Sequence, residues 1–243
     1  MKEKLKEIIN NAERIVFFGG AGVSTESGIP DFRGNGGLYT KGEVFGVSPE
    51  TVLSNAYLRA EPEKFFEYYK TKMLYPSAKP NGAHKALASL EREGKLLCVI
   101  TQNVDGLHQL AGSKKVIELH GSSLKNYCTG CGKHYPVEYI INSVGIPRCE
   151  ACGKMIRPDV VLYGEGLSGR AFSDADRAIS EADVLIVGGT SLTVQPAASL
   201  VSSFCGEHLV IINGQKTPYD KYASLIIREP IARTLSYAVG AEE

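Results

Sequence analysis

Short apolar runs, each followed by glycine or polar residues, recur along this chain and set the strongest limit on its fold. They are Ile15–Phe18, Leu96–Ile100, Val116–Leu119, Val160–Tyr163, Val184–Val187, Leu209–Ile212 and Leu225–Ile227. Most lack the alternation of a half-exposed strand, as expected of parallel strands buried on both faces. The stretches between them carry helix signals. Ser48-Pro49-Glu50 reads as an N-cap, a first-turn proline and an acid near the positive end of the helix dipole. Asn81 can cap a helix through His84, Leu87 and Leu90 that Gly94 stops, and Glu229-Pro230 opens a last helix to about Val239. Strand–helix alternation of this kind predicts a doubly wound α/β sheet.

Two stretches interrupt the alternation. Residues 38–76 read as helices with no strand between them, and residues 122–157 hold two cysteine pairs and little apolar content. The division expected is a discontinuous α/β domain over 1–37, 77–121 and 158–243, and a smaller domain from the helical insertion 38–76 and the cysteine module 122–157. With 43% apolar and 22% charged residues in 243, the chain has enough apolar side chain to offset the entropy of ordering, which excludes a disordered polymer. Lys and Arg total 27 against 27 Asp and Glu, a zero balance that argues against direct nucleic-acid binding. No apolar run reaches membrane-spanning length, and the charged start Met1-Lys2-Glu3-Lys4-Leu5-Lys6-Glu7 lacks the apolar centre of a signal peptide. A soluble, cytoplasmic protein with no membrane partner is expected.

Cys128-x2-Cys131, seventeen residues, then Cys149-x2-Cys152 has the spacing of a four-thiolate zinc site. Gly130, Gly132 and Gly153 let the backbone turn tightly, so that two sulfurs per knuckle can face one ion. Four thiolates close the tetrahedron and leave no position for water or substrate, so the zinc is expected to be structural.

The polar chemistry gathers at strand ends, where ligands bind in open α/β sheets. After Ile15–Phe18 comes Gly19-Gly20-Ala21-Gly22-Val23-Ser24-Thr25, an incomplete dinucleotide fingerprint in which Gly20 and Gly22 fit and Thr25 takes the third glycine's place. A helix is expected to follow, and a bare turn with packing glycines explains the run nearly as well. The loop from Ser27 to Gly37, with Phe32 and Arg33 among glycines and polar residues, has the composition of a flap over a ligand. Leu96–Ile100 leads into Thr101-Gln102-Asn103-Val104-Asp105-Gly106-Leu107-His108, where Asn103 or Asp105 either belongs to a site or caps the short helix to Leu110. His120, at the end of Val116–Leu119 and beside Gly121, is placed for acid–base work. Gly188-Gly189-Thr190-Ser191 and Asn213 add polar contacts at the same edge. Together they point to one large polar ligand.

Gly20-Ala21-Gly22-Val23-Ser24, Gly28-Ile29-Pro30-Asp31-Phe32-Arg33, the run 101–108, His120-Gly121 and the two cysteine pairs, in this order along nearly the whole chain, resemble the sirtuin family in its compact bacterial and archaeal form. Tyr163-Gly164-Glu165 departs from the family's usual Phe-Gly-Glu, and Gly19 stands where Thr is common. The resemblance implies a Rossmann-like fold and NAD-dependent deacetylation of protein lysines, with release of nicotinamide and O-acetyl-ADP-ribose. It implies that Ala21, Thr25, Arg33, Gln102, Thr190, Ser191, Asn213 and Ile231 line the NAD path. Gly20, Gly22, Ser24 and Gly189 join them, and Phe32, Val104 and Asp105 form the nicotinamide pocket. Asp105 would hold the carboxamide, Asn103 would order the ribose and a water, and His120 would be the base that draws a proton from a ribose hydroxyl. Acetylated protein substrates would be held by strand addition between Val161-Leu162-Tyr163-Gly164-Glu165 and Leu192-Thr193-Val194. A monomer is expected.

Two other readings share these residues: an ADP-ribosyltransferase on the same scaffold, and a non-enzymatic zinc-ribbon module that senses NAD. Retention of both Asn103 and His120 speaks against the first, and the neutral charge balance against nucleic-acid binding in the second. For the acyl group, the family pattern places Phe66 and Tyr69 where succinyl-preferring members carry Tyr and Arg, and no Arg lies between Glu61 and Leu74. Acetyl, and longer aliphatic chains against Phe65 and Phe66, are expected to be preferred, with Lys70 or Lys72 as partial substitutes for the missing Arg.

Overall fold

A computed structural model of the chain describes residues 1–34 and 37–240. Among these, the strands are β1 (Ile15–Gly19), β2 (Leu96–Thr101), β3 (Val116–Glu118), β4 (Gly121–Cys128), β5 (His134–Pro136), β6 (Ile156–Val160), β7 (Val184–Gly188), β8 (His208–Ile212) and β9 (Leu225–Ile227). The helices are α1 (Lys2–Asn11), α2 (Pro49–Val52), α3 (Asn55–Ala60), α4 (Pro62–Lys72), α5 (Gly82–Arg92), α6 (Leu107–Leu110), α7 (Val137–Asn142), α8 (Gly169–Glu181) and α9 (Ile231–Val239). Six strands pair in the order β3-β2-β1-β7-β8-β9, all parallel. The doubly wound α/β sheet read from the apolar runs is therefore present.

Both faces of this sheet are covered, which is why its strands are apolar throughout. Along β1, Ile15 and Phe17 pack with α1, α5 and α9, whereas Val16 and Phe18 pack with α8 and the turn at Ala197–Ser203. Helix ends follow their local signals. The Ser48 hydroxyl accepts from Thr51 N, and Asn81 Oδ1 accepts from Ala83 N while His84 Nδ1 returns to the Asn81 backbone. Gly94, at φ +78°, takes the left-handed conformation just past α5.

The run Val160–Tyr163 is not a strand of the main sheet. The strand there is β6, ending at Val160, and it lies antiparallel to β4 in a second sheet of order β5-β4-β6. Its apolar character has another cause: Val160 and Leu162 are buried in a third core with Phe65, Phe66, Tyr69, Ile140 and Ile156. That core joins α2–α4 of the helical insertion to the segment bearing the cysteines. The strands β4 and β5 inside 122–157 were not legible from the sequence, because Ser122, Ser123, Lys125 and Asn126 break the apolar pattern.

Candidate active site

The sheet order reverses around β1, so the carboxyl ends of β1 and β7 form the crevice where α/β folds bind ligands. The two glycine turns at these ends pack backbone to backbone. Gly20 N donates to Gly188 O at 3.1 Å and Gly22 N to Gly189 O at 2.8 Å. A Cβ on Gly22 would lie 2.8 Å from Gly189 Cα, and one on Gly189, where φ is +59°, would lie 2.4 Å from Val23 N. Close approach of two strand ends therefore demands glycine here before any ligand does. The helix expected after this turn is replaced by two single 3-10 turns, Ala21–Val23 and Thr25–Ser27. Gly28, left-handed at φ +85°, ends the second, and Pro30 follows it.

The turn after β2 reaches across to this glycine turn. Asn103 Nδ2 donates to Ser24 Oγ at 3.1 Å, and Ser24 Oγ donates to Asp105 Oδ2 at 2.7 Å. Asp105 Oδ1 accepts from Leu107 N at 2.9 Å, so one oxygen caps α6 while the other serves the cluster. Burial pushes the Asp105 carboxyl upward, and its Ser24 and Leu107 donors oppose that shift. Gln102 Nε2 donates to Thr190 Oγ1 at 3.0 Å, joining the ends of β2 and β7.

His120 lies between β3 and β4, with Nδ1 2.9 Å from the carbonyl oxygen of Gln102. A carbonyl only accepts, so Nδ1 carries the proton and Nε2 presents a lone pair with no partner among the described residues. Burial holds the imidazole below its usual 6.5, partly offset by the Gln102 carbonyl. The neighbouring Gly121 is required: at φ +75° its Cβ would lie 2.1 Å from Asp159 O.

A cavity of about 860 Å³ runs between the sheet edge and the third core. Gly20, Ala21, Gly22, Ser24 and Thr25 line it beside Gln102, Asn103, Val104, Asp105 and His120. Gly189, Thr190, Ser191, Asn213 and Ile231 complete the sheet edge, and Val161, Leu162, Tyr163, Gly164, Glu165 and Val194 form another wall. Phe32 and Arg33 of the flap-like loop also line it, whereas Asn35 and Gly36 of that loop lie outside the described residues. The wall 161–165 is fixed by the segment 53–55 and by Arg157. Asn55 N donates to Tyr163 O at 3.0 Å, Tyr163 N donates to Leu53 O at 3.1 Å, and Arg157 makes a paired contact with Glu165 at 2.6 and 3.0 Å. Asn55 Nδ2 also donates to Glu165.

The aromatic residues of α4 depart from expectation. Tyr69 lines the cavity, but Phe65 and Phe66 are fully buried in the third core and do not reach it. The helix turns Tyr69, Lys72 and Met73 toward the cavity, one turn beyond the register read from the sequence. Lys70 is occupied elsewhere, donating to Ser143 O at 2.6 Å and Ser143 Oγ at 2.8 Å. Sequence reasoning also missed Arg228, Gln195 and Tyr39 as lining residues. Arg228 donates to Asn213 O at 2.8 Å and pairs with Asp220, contacts across the loop between β8 and β9 that no motif in the sequence encodes.

The Sγ atoms of Cys128, Cys131, Cys149 and Cys152 all lie within 4.8 Å of one another, and none is in a disulfide. Gly132 (φ +72°) and Gly153 (φ +69°) close the two knuckles. The Tyr135 hydroxyl donates to Cys149 Sγ at 3.1 Å and lowers that thiol's pKa. Four convergent sulfurs without an oxygen donor fit a structural zinc ion.

Residues 20–196 match the Sir2 family. The chain is 52% identical over 237 residues to a Clostridium acetobutylicum protein named NAD-dependent protein deacetylase, covering 97% of each. It is 47% identical to a protein of the same name from Staphylococcus epidermidis, covering 98% of this chain and 97% of that one. A solved Sir2–p53 peptide–NAD+ complex matches with a TM-score of 0.86 and 39% identity, covering 100% of both chains. A Sir2 histidine variant with deacetylated p53 peptide and 3′-O-acetyl ADP-ribose matches with a TM-score of 0.88 and 40% identity, covering 98% of this chain and 97% of that one. This chain belongs to the Sir2 family, the sirtuins.

Proposed function

We propose that the protein is an NAD-dependent protein-lysine deacetylase that passes the acyl group of acyl-lysine to ADP-ribose and releases nicotinamide. The observation that carries this reading is the convergence of His120, Asn103 and Asp105 on one cavity walled by both glycine turns and by residues 161–165. It is supported by the relatives named NAD-dependent protein deacetylase and by the Sir2 complexes with NAD+ and p53 peptide. NAD supplies an activated bond between the ribose carbon and nicotinamide, a positively charged leaving group. The cavity fits it: Ala21, Thr25, Gln102, Thr190, Ser191 and Asn213 line one edge, and an aromatic ring, Phe32, also lines the cavity.

The chain's own groups then divide the work. The Asp105 carboxylate accepts from a carboxamide N–H, held in place by Ser24 and Leu107. Asn103, tethered through Ser24, orders the ribose and a water. His120 is neutral at pH 7 and receives a hydroxyl proton at Nε2, and its Nδ1–H is held by Gln102 so that the acceptor is always Nε2. The peptide backbone adds between 161–165 and 192–194, leaving the acyl chain to enter beside Val104 and Tyr69. Cys128, Cys131, Cys149 and Cys152 hold zinc, which ties together β4 and the loop before β6. The working unit is a monomer with the domain division 1–37, 77–121 and 158–243 against 38–76 and 122–157. It acts in the cytoplasm and does not bind nucleic acid. No helix among the described residues is long and apolar enough to cross a membrane.

The test is incubation with NAD and an acetyl-lysine peptide while nicotinamide and peptide mass are followed. Loss of one acetyl group per nicotinamide released is the expected result. Nicotinamide release with ADP-ribose joined to the peptide would establish the transferase reading instead, and no NAD-dependent change would overturn both.

A further inference from the structure

Arg228 is the residue that follows β9, and its side chain bridges the two segments that close the cavity on that side of the sheet. Nη1 donates to Asn213 O at 2.8 Å and to Gln215 O at 2.5 Å, and Nη2 pairs with Asp220. Gln215 O also accepts from Asn213 Nδ2 at 2.9 Å. The β8–β9 ladder stops at Asn213, whose N donates to Ile227 O at 3.1 Å. Beyond it, the backbone of 214–216 makes no backbone–backbone hydrogen bond among the described residues. Two side chains, those of Arg228 and Asn213, thus hold a stretch that strand pairing does not reach. Asn213, Gly214 and Gln215 line the cavity on one side of Arg228, and Glu229, Pro230 and Ile231 on the other.

We propose that Arg228 is a positioning residue that preforms the wall 213–215 for the adenosine half of NAD, acting through the backbone it holds. This rests on the deacetylase reading, which places NAD in the cavity. Strand order supplies the direction. Asp105 follows β2 and His120 follows β3, whereas Arg228 follows β9, at the opposite edge in the order β3-β2-β1-β7-β8-β9. Four strand spacings, about 19 Å, separate β2 from β9. A dinucleotide with its nicotinamide at Asp105 and its diphosphate at the glycine turns of β1 and β7 therefore extends its adenosine toward β8 and β9. The guanidinium itself is already engaged: Asp220 meets its charge, and two carbonyls take its Nη1 protons. What it gives the ligand is a wall ordered before binding, so that less freedom is lost when the cofactor arrives.

The test is calorimetric titration with ADP-ribose, which needs no turnover, beside steady-state kinetics. Arg228→Ala is expected to lower ADP-ribose affinity by about 5- to 30-fold, the scale of ordering one backbone residue at the moment of binding. The KM for NAD should rise in step, while kcat at saturating NAD and the KM for acetyl-lysine peptide keep their wild-type values, because the reacting end lies across the sheet. Arg228→Lys should lower the affinity as well, since one ammonium cannot reproduce a planar fork that spans two carbonyls and a carboxylate. This milder change carries the test if the alanine variant does not fold. Wild-type affinity in Arg228→Lys would show that charge alone is at work and overturn the positioning role, as would wild-type affinity in both variants. A merely structural role would instead lower kcat and melting temperature together with the affinity, and that result also overturns the proposal. Wild-type protein that binds no ADP-ribose would sink the underlying reading, whereas binding that neither variant alters sinks only the role of Arg228.

Discussion

Ser24 and Asp105, eighty-one residues apart, share a hydrogen bond of 2.7 Å in which the serine hydroxyl donates to the buried carboxylate. That bond joins the glycine turn after β1 to the polar turn after β2, and it favours the ionised form of a group that burial would neutralise. Ser24→Ala should therefore raise the Asp105 pKa further. The carboxyl's folded pKa is already raised, so the ionised form needed to accept from nicotinamide is lost as pH falls through that value. Steady-state kcat/KM for NAD in the variant is expected to fall about 10-fold, the scale of one hydrogen bond to a charged group, with its acid limb displaced upward. A profile superimposable on wild type would show that Ser24 does not tune Asp105.

His120→Ala should keep the melting temperature and ADP-ribose affinity and lower turnover by about 10²- to 10⁴-fold, the scale of a lost general base. Because burial holds His120 below 6.5, the wild-type rate should be flat from pH 7 to 8 and fall only below the depressed pKa. Single-turnover measurements across pH would reveal both. Near-wild-type turnover in the variant would remove His120 from the role of base.

His84 and His108 make a buried pair with ring centroids 4.7 Å apart, and neither nitrogen of His108 has a hydrogen-bond partner among the described residues. Burial lowers their pKa values to about 4 and about 3. The unfolded chain then takes up protons that the folded one refuses as pH drops below 6.5. Stability is complete above 6.5 and declines toward pH 4. His108→Leu should reduce that decline and leave the melting temperature at pH 7.5 equal or higher, since a buried orphan polar ring gives way to an apolar one. Thermal melts at pH 5 and 7.5 decide; a steeper acid loss in the variant would be the contrary result.

Replacing Cys128 or Cys149 with Ala should lower melting temperature, soluble yield and activity together, at about 2–4 °C for each kcal/mol of binding energy lost from folding. Zinc content of the purified protein, read by mass spectrometry, is expected to be one per chain before the change and near zero after it. A zinc-free variant with an unchanged melt but no activity would point to a catalytic ion.

Acetyl-lysine should be preferred over succinyl-lysine by about 10²-fold or more in kcat/KM, since a buried carboxylate would meet no bidentate partner. Lys70 is tied to Ser143, and Lys72 lies exposed at the cavity wall, where a solvated ammonium contributes little. Equal kcat/KM values on one peptide would contradict this pocket.

The sequence by itself determined that a parallel α/β sheet forms, where two of its helices are capped, and which four cysteines converge. Each is encoded locally: strands buried on both faces need unbroken apolar runs, a cap needs Ser48 or Asn81 at one position, and a knuckle needs two cysteines three residues apart. Strand ends were legible too, because the apolar runs of β1, β2 and β7 close on Gly19, Thr101 and Gly188. Only the tertiary structure decided which core an apolar run serves. Val160 and Leu162 pack beneath α4 and not in the main sheet, and Phe65 and Phe66 turn inward while Tyr69 faces the cavity. The Tyr39–Tyr163 contact spans 124 residues. Spacing along a chain selects the face a side chain takes, but the partner it meets there depends on how two separately built cores dock.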